Sequence, residues 1–570
     1  MNVTATTITT STTTIALQDI WNTTSDVVSR YLFIILNYIE LIPGGSILVR
    51  YIKSSHKNDP IRTLFEIALF IFAIRYFTTA KYERSKKDHI KLKNSEIDEL
   101  IDDWMPEPLV LDISPKEQWQ LNSIPIVKGP IDTKVNLVGE EGDFLNFASS
   151  NFLNFGINPI VKNECKKIIH SNGVGACGPP NFYGNQDIHI KLENDLAKFF
   201  EVGGAVLYGQ DFCTAGSVLP SFLKRGDFVI ADASSNVAIQ KALQLSRCEI
   251  YWFNHNDLDH LEEILIDLQK NIFKFEKPIS RKFIVTEGIF ANKGDSPYLP
   301  RLIELKKKFK FRLFLDESLS LGVLGKSGKG LAEHYNIKRS EIDVTISSMA
   351  NSFSSSGAFC IGDKVMTYHQ RIGSMAYCFS ASLPAYVARA TSVALRLLTD
   401  SQDSQGESSI VKKLQSNNYQ LFNLFNKDRK LSKYLKIISN EISPILHFEI
   451  NSDLRKLLNF PISYTGKGSE IEYKNKKGIS DKFVESFNYE NLIFQKIINL
   501  SKKQGILITR SIFTIEQEAL PLIPNLKIHS NVDFTKDEIE KVYKIVSKVI
   551  LDVFENLTVE SLSLLTEEVI

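Results

Sequence analysis

Cysteine is scarce and unpatterned. The six cysteines (Cys165, Cys177, Cys213, Cys248, Cys360 and Cys378) show no CxxC or His-flanked spacing. That excludes a zinc ribbon or a disulfide framework and points to a reducing compartment. Neither sign of charge dominates: 67 basic against 66 acidic residues leave a net charge of +1, and a nucleic-acid partner would need a basic face. Long apolar runs are also missing. A bilayer core asks for about 20 apolar residues, and the two densest stretches are both interrupted. Residues 31–52 carry Asn37, Glu40 and a Pro43-Gly44-Gly45 break, and residues 64–77 carry Glu66 and Arg75.

With its flanks snorkelling, the second stretch is still expected to give a transmembrane helix over 61–80; the alternative is a buried amphipathic helix. Residues 1–60 are expected to be a disordered or interfacial segment. Positions 1–14 are almost all Thr, Ser and small residues, too polar for a signal-peptide core, and 31–52 suits an interfacial helix or helical hairpin. Basic residues are heavier after the second stretch (Lys81, Arg84, Lys86, Lys87, Lys91, Lys93) than before it (Arg50, Lys53, Lys57, Arg62), which places the large part in the cytosol. The sequon at Asn22 fits a lumenal N-terminus.

What is there in quantity is alternation. Residues 81–139 read as a linker that wraps onto the domain after it. Over 140–400, short runs such as "GAVLYG" (204–209), "DFVIADA" (227–233), "RKFIVTEGIF" (281–290), "FRLFLDES" (311–318) and "DVTISS" (343–348) are separated by a dozen or more residues. That spacing predicts an α/β domain, a mostly parallel sheet with helices on both faces. The polar break "DSQDSQGESS" (400–409) precedes a smaller α+β domain over 401–570, with strands at 443–450 and 505–513. Residues 464–490 are polar and expected as a mobile insertion.

Three stretches fall at the C-terminal ends of expected strands, where open α/β sheets bind ligands. "GVGACGPPNFYG" (173–184) is a Gly-rich loop ahead of a helix. "FLDESLSLG" (314–322) puts Asp316 at the end of a buried strand, where it needs a cation, a ring N–H or backbone donors; a simple turn cap is the plain alternative. "SSMANSFSSSGAF" (347–359) is a small-residue loop followed by the hydroxyl-rich "YCFSASLPAY" (377–386). This order is the layout of a fold-type I pyridoxal phosphate site, in which an Asp faces the ring nitrogen and a Lys holds the aldehyde. Position 351, where that amine belongs, is Asn. The "GKSGKG" turn with Lys326 and Lys329 lacks the Walker A spacer and Ser/Thr.

With "KRGDFVIAD", "DESLSLGVLGKSGKG", "HQRIGSMAYCFSASLP" and the lead-in "EIDELIDDWMPEPLV" (96–110) added, the chain resembles the α-oxoamine synthase family. The resemblance runs from about residue 61 to the end. Within the family, the match is to the non-catalytic subunits of heteromeric serine palmitoyltransferases. It implies a fold-type I transferase that lacks three groups. Asn351 replaces the lysine, while Leu319 and Asn236 stand at histidine positions. Asp316 is vestigial, and Pro180 replaces a frequent Arg.

Pyridoxal 5'-phosphate is therefore expected on a partner, a Lys-bearing catalytic second subunit. Ser380 and Ser382 would reach that partner's cofactor phosphate, and Cys177, Phe182 and Tyr183 would face the shared site. The resemblance further implies L-serine and palmitoyl-CoA as substrates, small activating subunits, Orm-type regulators and the endoplasmic reticulum membrane. Two rival readings are a self-sufficient homodimeric enzyme and a pure membrane scaffold.

Overall fold

A computed structural model describes residues 34, 37–41, 43–78, 92–105, 113–114, 116–273 and 280–565. The sequon, the 1–14 tract and the basic residues 81–91 lie outside that set. The chain divides into two compact units, 1–108 and 109–570.

In the first unit, the Pro-Gly-Gly break is where a helix starts, Gly45–Asn58, and a second helix occupies Pro60–Thr78. No helix among the described residues is long and apolar enough to cross a membrane. The described part of the expected 61–80 span is a 19-residue helix that carries Arg62, Glu66 and Arg75. Its Arg62 Nε pairs with Glu66 Oε1 at 2.9 Å. The apolar side chains of this helix, Phe65, Leu69, Phe70, Phe72 and Phe77 among them, are exposed.

In the second unit a short helix, Gln118–Asn122, precedes three short strands, β1 (Val127–Lys128), β2 (Lys134–Leu137) and β3 (Phe144–Asn146). The central sheet then takes β4 (Gly204–Tyr208), β5 (Phe228–Asp232), β6 (Glu249–Phe253), β7 (Lys282–Glu287), β8 (Arg312–Asp316), β9 (Val344–Ser348) and β10 (Ala358–Gly362). Their order is β4-β10-β9-β8-β7-β5-β6. Only β10 runs antiparallel to its neighbours.

Burial shows why these segments are strands. Ile230, Ile284, Leu313 and Leu315 join one apolar cluster, and Val229, Ala231, Phe283, Val285 and Phe314 another. Side chains alternate between the two faces of a strand. A strand apolar at every position therefore needs cover on both, which makes a three-layer domain.

Further on come β11 (Leu435–Ile437), β12 (Ile445–Ile450), β13 (Ile506–Leu507), β14 (Thr509–Arg510) and β15 (Leu526–His529). Four of them form a second sheet, β11-β12-β15-β14. The helices Glu485–Lys502 and Lys536–Glu555 pack their apolar faces into the same core as that sheet.

The boundaries expected at 139/140 and 400/401 both fall inside this one compact unit. Pairing explains the first: β13 lies parallel to β3, so the chain at the expected boundary shares a sheet with residue 506. Trp119, within the stretch expected as a linker, is buried, and its indole N–H donates to Asn488 Oδ1 at 3.0 Å. The 464–490 stretch is also more built than its polarity suggested. It holds a helix, Glu470–Lys477, and Tyr464, Ile471 and Val484 are buried in a small cluster with Ile515.

Candidate active site

The site begins with two carboxylates at the ends of adjacent parallel strands. Glu287 closes β7, Asp316 closes β8, and the two are paired in register. Both are buried. Burial pushes the Asp316 carboxyl above its usual range; burial, and then the charge of Asp316, pushes Glu287 the same way.

Asn236 bridges them. Its backbone N–H donates to Glu287 Oε1 at 2.7 Å and its side-chain amide donates to Asp316 Oδ2 at 3.4 Å. The same side chain caps the helix Val237–Ser246 by accepting from Ile239 N at 3.1 Å. Ser318 N donates to Asp316 Oδ1 at 2.9 Å and Ala291 N to Glu287 Oε2 at 3.0 Å. Asp316 is thus satisfied within the chain, in part by the turn-capping contact that was the plain alternative for it.

Asn351 lies on the same cluster. Its amide Nδ2 donates to the Ser318 carbonyl at 2.8 Å, and its own backbone carbonyl accepts from Phe152 N at 3.2 Å. An amide nitrogen is delocalised and does not attack an aldehyde. Leu319 is half-buried and packs on the main apolar cluster, with no donor to offer. Asn236 thus meets Asp316 directly, and Asn351 meets Ser318, whose backbone N–H donates to Asp316. They do not fit covalent capture of an aldehyde cofactor, because the group that would hold it is an amide already donating to a carbonyl.

Ser380, Ser382, Cys177, Phe182 and Tyr183 form a second cluster. Ser382 N donates to the Gly178 carbonyl at 2.9 Å, and Asn181 Nδ2 donates to the Arg371 carbonyl at 2.9 Å, so the Gly-rich loop is tied to the hydroxyl-rich segment. Phe182 and Phe379 lie 6.4 Å apart, ring centroid to centroid, and both are exposed. Tyr183 is fully exposed at φ +70°, and Cys177 is exposed at φ +59°. A residue with a Cβ pays for that left-handed conformation. Ser380 is exposed, whereas Ser382 Oγ is buried with no hydrogen-bond partner among the described residues.

Sequence reasoning passed over four features. Glu287 sat in a quoted strand, and the same rule that singled out Asp316 applies to it. Lys527, on β15, donates from Nζ to the Ala291 carbonyl at 3.4 Å, beside His447 on the neighbouring strand. Burial pulls this ammonium down to about 8; burial, with the charge of Lys527, pulls His529 down to about 3. Its only signal was a lysine inside the short run "NLKIHS". His255 binds Asp232 Oδ1 at 2.8 Å and Asp295 Oδ2 at 2.9 Å, pinning the loops after β6 and β7. Gln240 Nε2 donates to Glu518 Oε2 at 2.8 Å, which fastens the 511–525 loop to the helix behind Asn236.

The aminotransferase class I and II family model matches residues 142–514. The chain is 43% identical over 537 residues to serine palmitoyltransferase 1 of Saccharomyces cerevisiae, covering 92% of this chain and 95% of that one. It belongs to the serine palmitoyltransferase 1 family. The Dictyostelium discoideum serine palmitoyltransferase 1 is 34% identical, with 85% and 93% covered. Long chain base biosynthesis protein 1c of Oryza sativa is 37% identical over 385 residues.

Among solved structures, a serine palmitoyltransferase variant from S. paucimobilis with a bound PLP–myriocin aldimine superposes with a TM-score of 0.61. It is 18% identical, with 81% of this chain and 99% of that chain covered. The 8-amino-7-oxononanoate synthase of Francisella tularensis gives 0.53. These likenesses establish for this member of the serine palmitoyltransferase 1 family the α/β architecture expected from its strand pattern, in the fold-type I form that its motif layout and family resemblance implied.

Proposed function

We propose that this chain is a non-catalytic subunit of a heteromeric serine palmitoyltransferase. The complex condenses L-serine with palmitoyl-CoA to 3-ketodihydrosphingosine, releasing CoA and carbon dioxide, at the first step of sphingolipid synthesis. The cofactor, pyridoxal 5'-phosphate, supplies an electron sink for the carbanion and is held by a Lys-bearing second subunit. This chain completes that subunit's pocket and does not perform the chemistry alone.

One observation carries the reading: the residue at the head of the 349–357 loop is Asn351, with its amide donated to the Ser318 carbonyl. A second supports a partner. The loop cluster at 173–184 and 372–382 exposes Val174, Phe182, Tyr183, Ile372, Met375 and Phe379 together, an apolar surface that suits a protein interface. Buried and without a partner among the described residues, Ser382 Oγ has a hydroxyl to offer a phosphate oxygen supplied across such an interface. Small activating subunits and Orm-type regulators belong to this reading as further partners. Localisation at the endoplasmic reticulum membrane, with the large unit cytosolic, is supported by the exposed apolar side chains of the helix Pro60–Thr78.

Co-expression tests it. Condensation of serine with palmitoyl-CoA is expected only when the Lys-bearing homologue is present. Asn351→Lys alone is expected to leave the isolated chain inactive, since Leu319 and Asn236 still replace the ring partners. Ser382→Ala is expected to lower turnover of the complex severalfold without dissociating it. Synthase activity from the Asn351→Lys chain by itself would refute the reading, and an unchanged turnover in Ser382→Ala would leave a scaffold.

A further inference from the structure

A cleft of about 450 Å³, sharing no residue with the carboxylate cluster, lies between the helices Asp187–Phe200 and Ala385–Asp400. Five cations line it: Lys191, Lys198, Lys329, Arg389 and Arg396. Asp195 and Asp400 are the acids among its lining residues. Its size is within the range of small-molecule pockets, about 300–1,000 Å³.

The balance of pairs leaves positive charge to spare. Lys191 meets Asp195 at 3.3 Å, and Asp195 is shared with the Ser392 hydroxyl. Arg389 meets Glu164, which also binds Lys167 at 2.8 Å. Lys329 meets Glu201 at 2.6 Å, but the Glu201 side chain is 78% exposed, and such a pair is weak and screened. Lys198 and Arg396 have no ion-pair partner among the described residues.

The backbone that carries one of these cations is fixed by hydrogen bonds. Lys329 sits in the "GKSGKG" turn, where Ser327 N and Lys329 N both donate to Glu333 Oε2, at 3.1 and 3.0 Å. The Lys329 carbonyl accepts from Arg339, and the lysine Nζ stands 5.7 Å over the Phe199 ring. Phe199, Val393 and Leu395 supply an apolar floor beneath the cationic rim. A rim of donors over an apolar floor matches a molecule with a charged end and an apolar or aromatic body.

We infer that this cleft is a binding site for a phosphorylated small molecule, held by Lys198, Lys329 and Arg396 through its phosphate oxygens. It is separate from the site that serves the proposed condensation, and it does not depend on that reading. The role suited to a site so placed is regulatory or structural binding, with no bond made or broken.

Titration calorimetry on the full chain tests it, with inorganic pyrophosphate and ADP as probes and adenosine as the uncharged control. Saturable binding of pyrophosphate or ADP, weakening as salt is raised, is expected. Lys198→Glu with Arg396→Glu is expected to weaken it by about tenfold or more. Both side chains are free of ion pairs among the described residues, so the fold should be unaffected, as an unchanged melting temperature without ligand would verify. Thr399→Trp, which fills the cleft without changing charge, is expected to abolish binding as well. Absence of binding at millimolar probe, equal binding of adenosine, or full affinity in the charge-reversed variant would each overturn the inference.

Discussion

At the scale of single residues, Lys527 and Tyr183 carry the clearest consequences. Lys527 is an ammonium whose acceptor among the described residues is one carbonyl at 3.4 Å, with burial pulling it down to about 8. Its folded value lies below its unfolded one, so the charged form costs stability at every pH below 8, and the cost fades as pH rises toward 10.5. Lys527→Met is therefore expected to stabilise the chain by about 2 kcal/mol at pH 7. In urea unfolding that gain should shrink above pH 8; a gain that grows with pH would contradict the burial argument. Tyr183 holds a left-handed backbone while its side chain touches solvent. Tyr183→Gly is expected to raise stability by about 0.5–1 kcal/mol and, if the ring faces a partner, to cut turnover of the complex severalfold. Opposite signs in the two assays would show that the strain is kept for function.

Elements set these residues in place, and the pin between them is His255. Burial pulls its imidazolium down, but the hydrogen bonds and charges of Asp232 and Asp295 outweigh that and hold it up to about 9. A folded value raised above the unfolded 6.5 adds stability that is complete below pH 6.5 and is lost as pH rises through 9. That contribution is about 2–3 kcal/mol. Comparing the wild-type chain with His255→Asn from mildly acidic to alkaline pH measures it. The gap between them should close on the alkaline side, and a gap that widens there would contradict the arrangement.

Period and strand-end chemistry made much of this legible beforehand. β4, β5, β7, β8, β9 and β12 all fall inside apolar runs singled out as strands, because strands buried on both faces read as continuous apolar stretches. β10 was not separable from the small-residue loop before it, and β15 is a four-residue strand interrupted by Lys527. The pairing of β13 with β3 joins Ile506 to Leu145, a separation in the chain that no local pattern encodes. Asp316, Asn236 and Asn351 could be singled out by motif, yet the Asn236 bridge to Glu287 has no local signal, since it spans two strand ends and a helix cap.

On the scale of the whole molecule, a fold-type I architecture has acidic strand ends and a Gly-rich loop, and carries Asn351 in its small-residue loop. The apolar loop surface at 173–184 and 372–382 and the apolar helix Pro60–Thr78 are both left uncovered. Under the proposed function, such a chain acts through what it binds. Borohydride reduction is the most direct test. The complex with the Lys-bearing homologue and this chain purified alone are each reduced, and the pyridoxyl group is mapped by peptide mass spectrometry. The label is expected on the homologue's lysine only, with the isolated chain unlabelled. A pyridoxyl group on any lysine of the isolated chain, Lys527 foremost, would contradict the account.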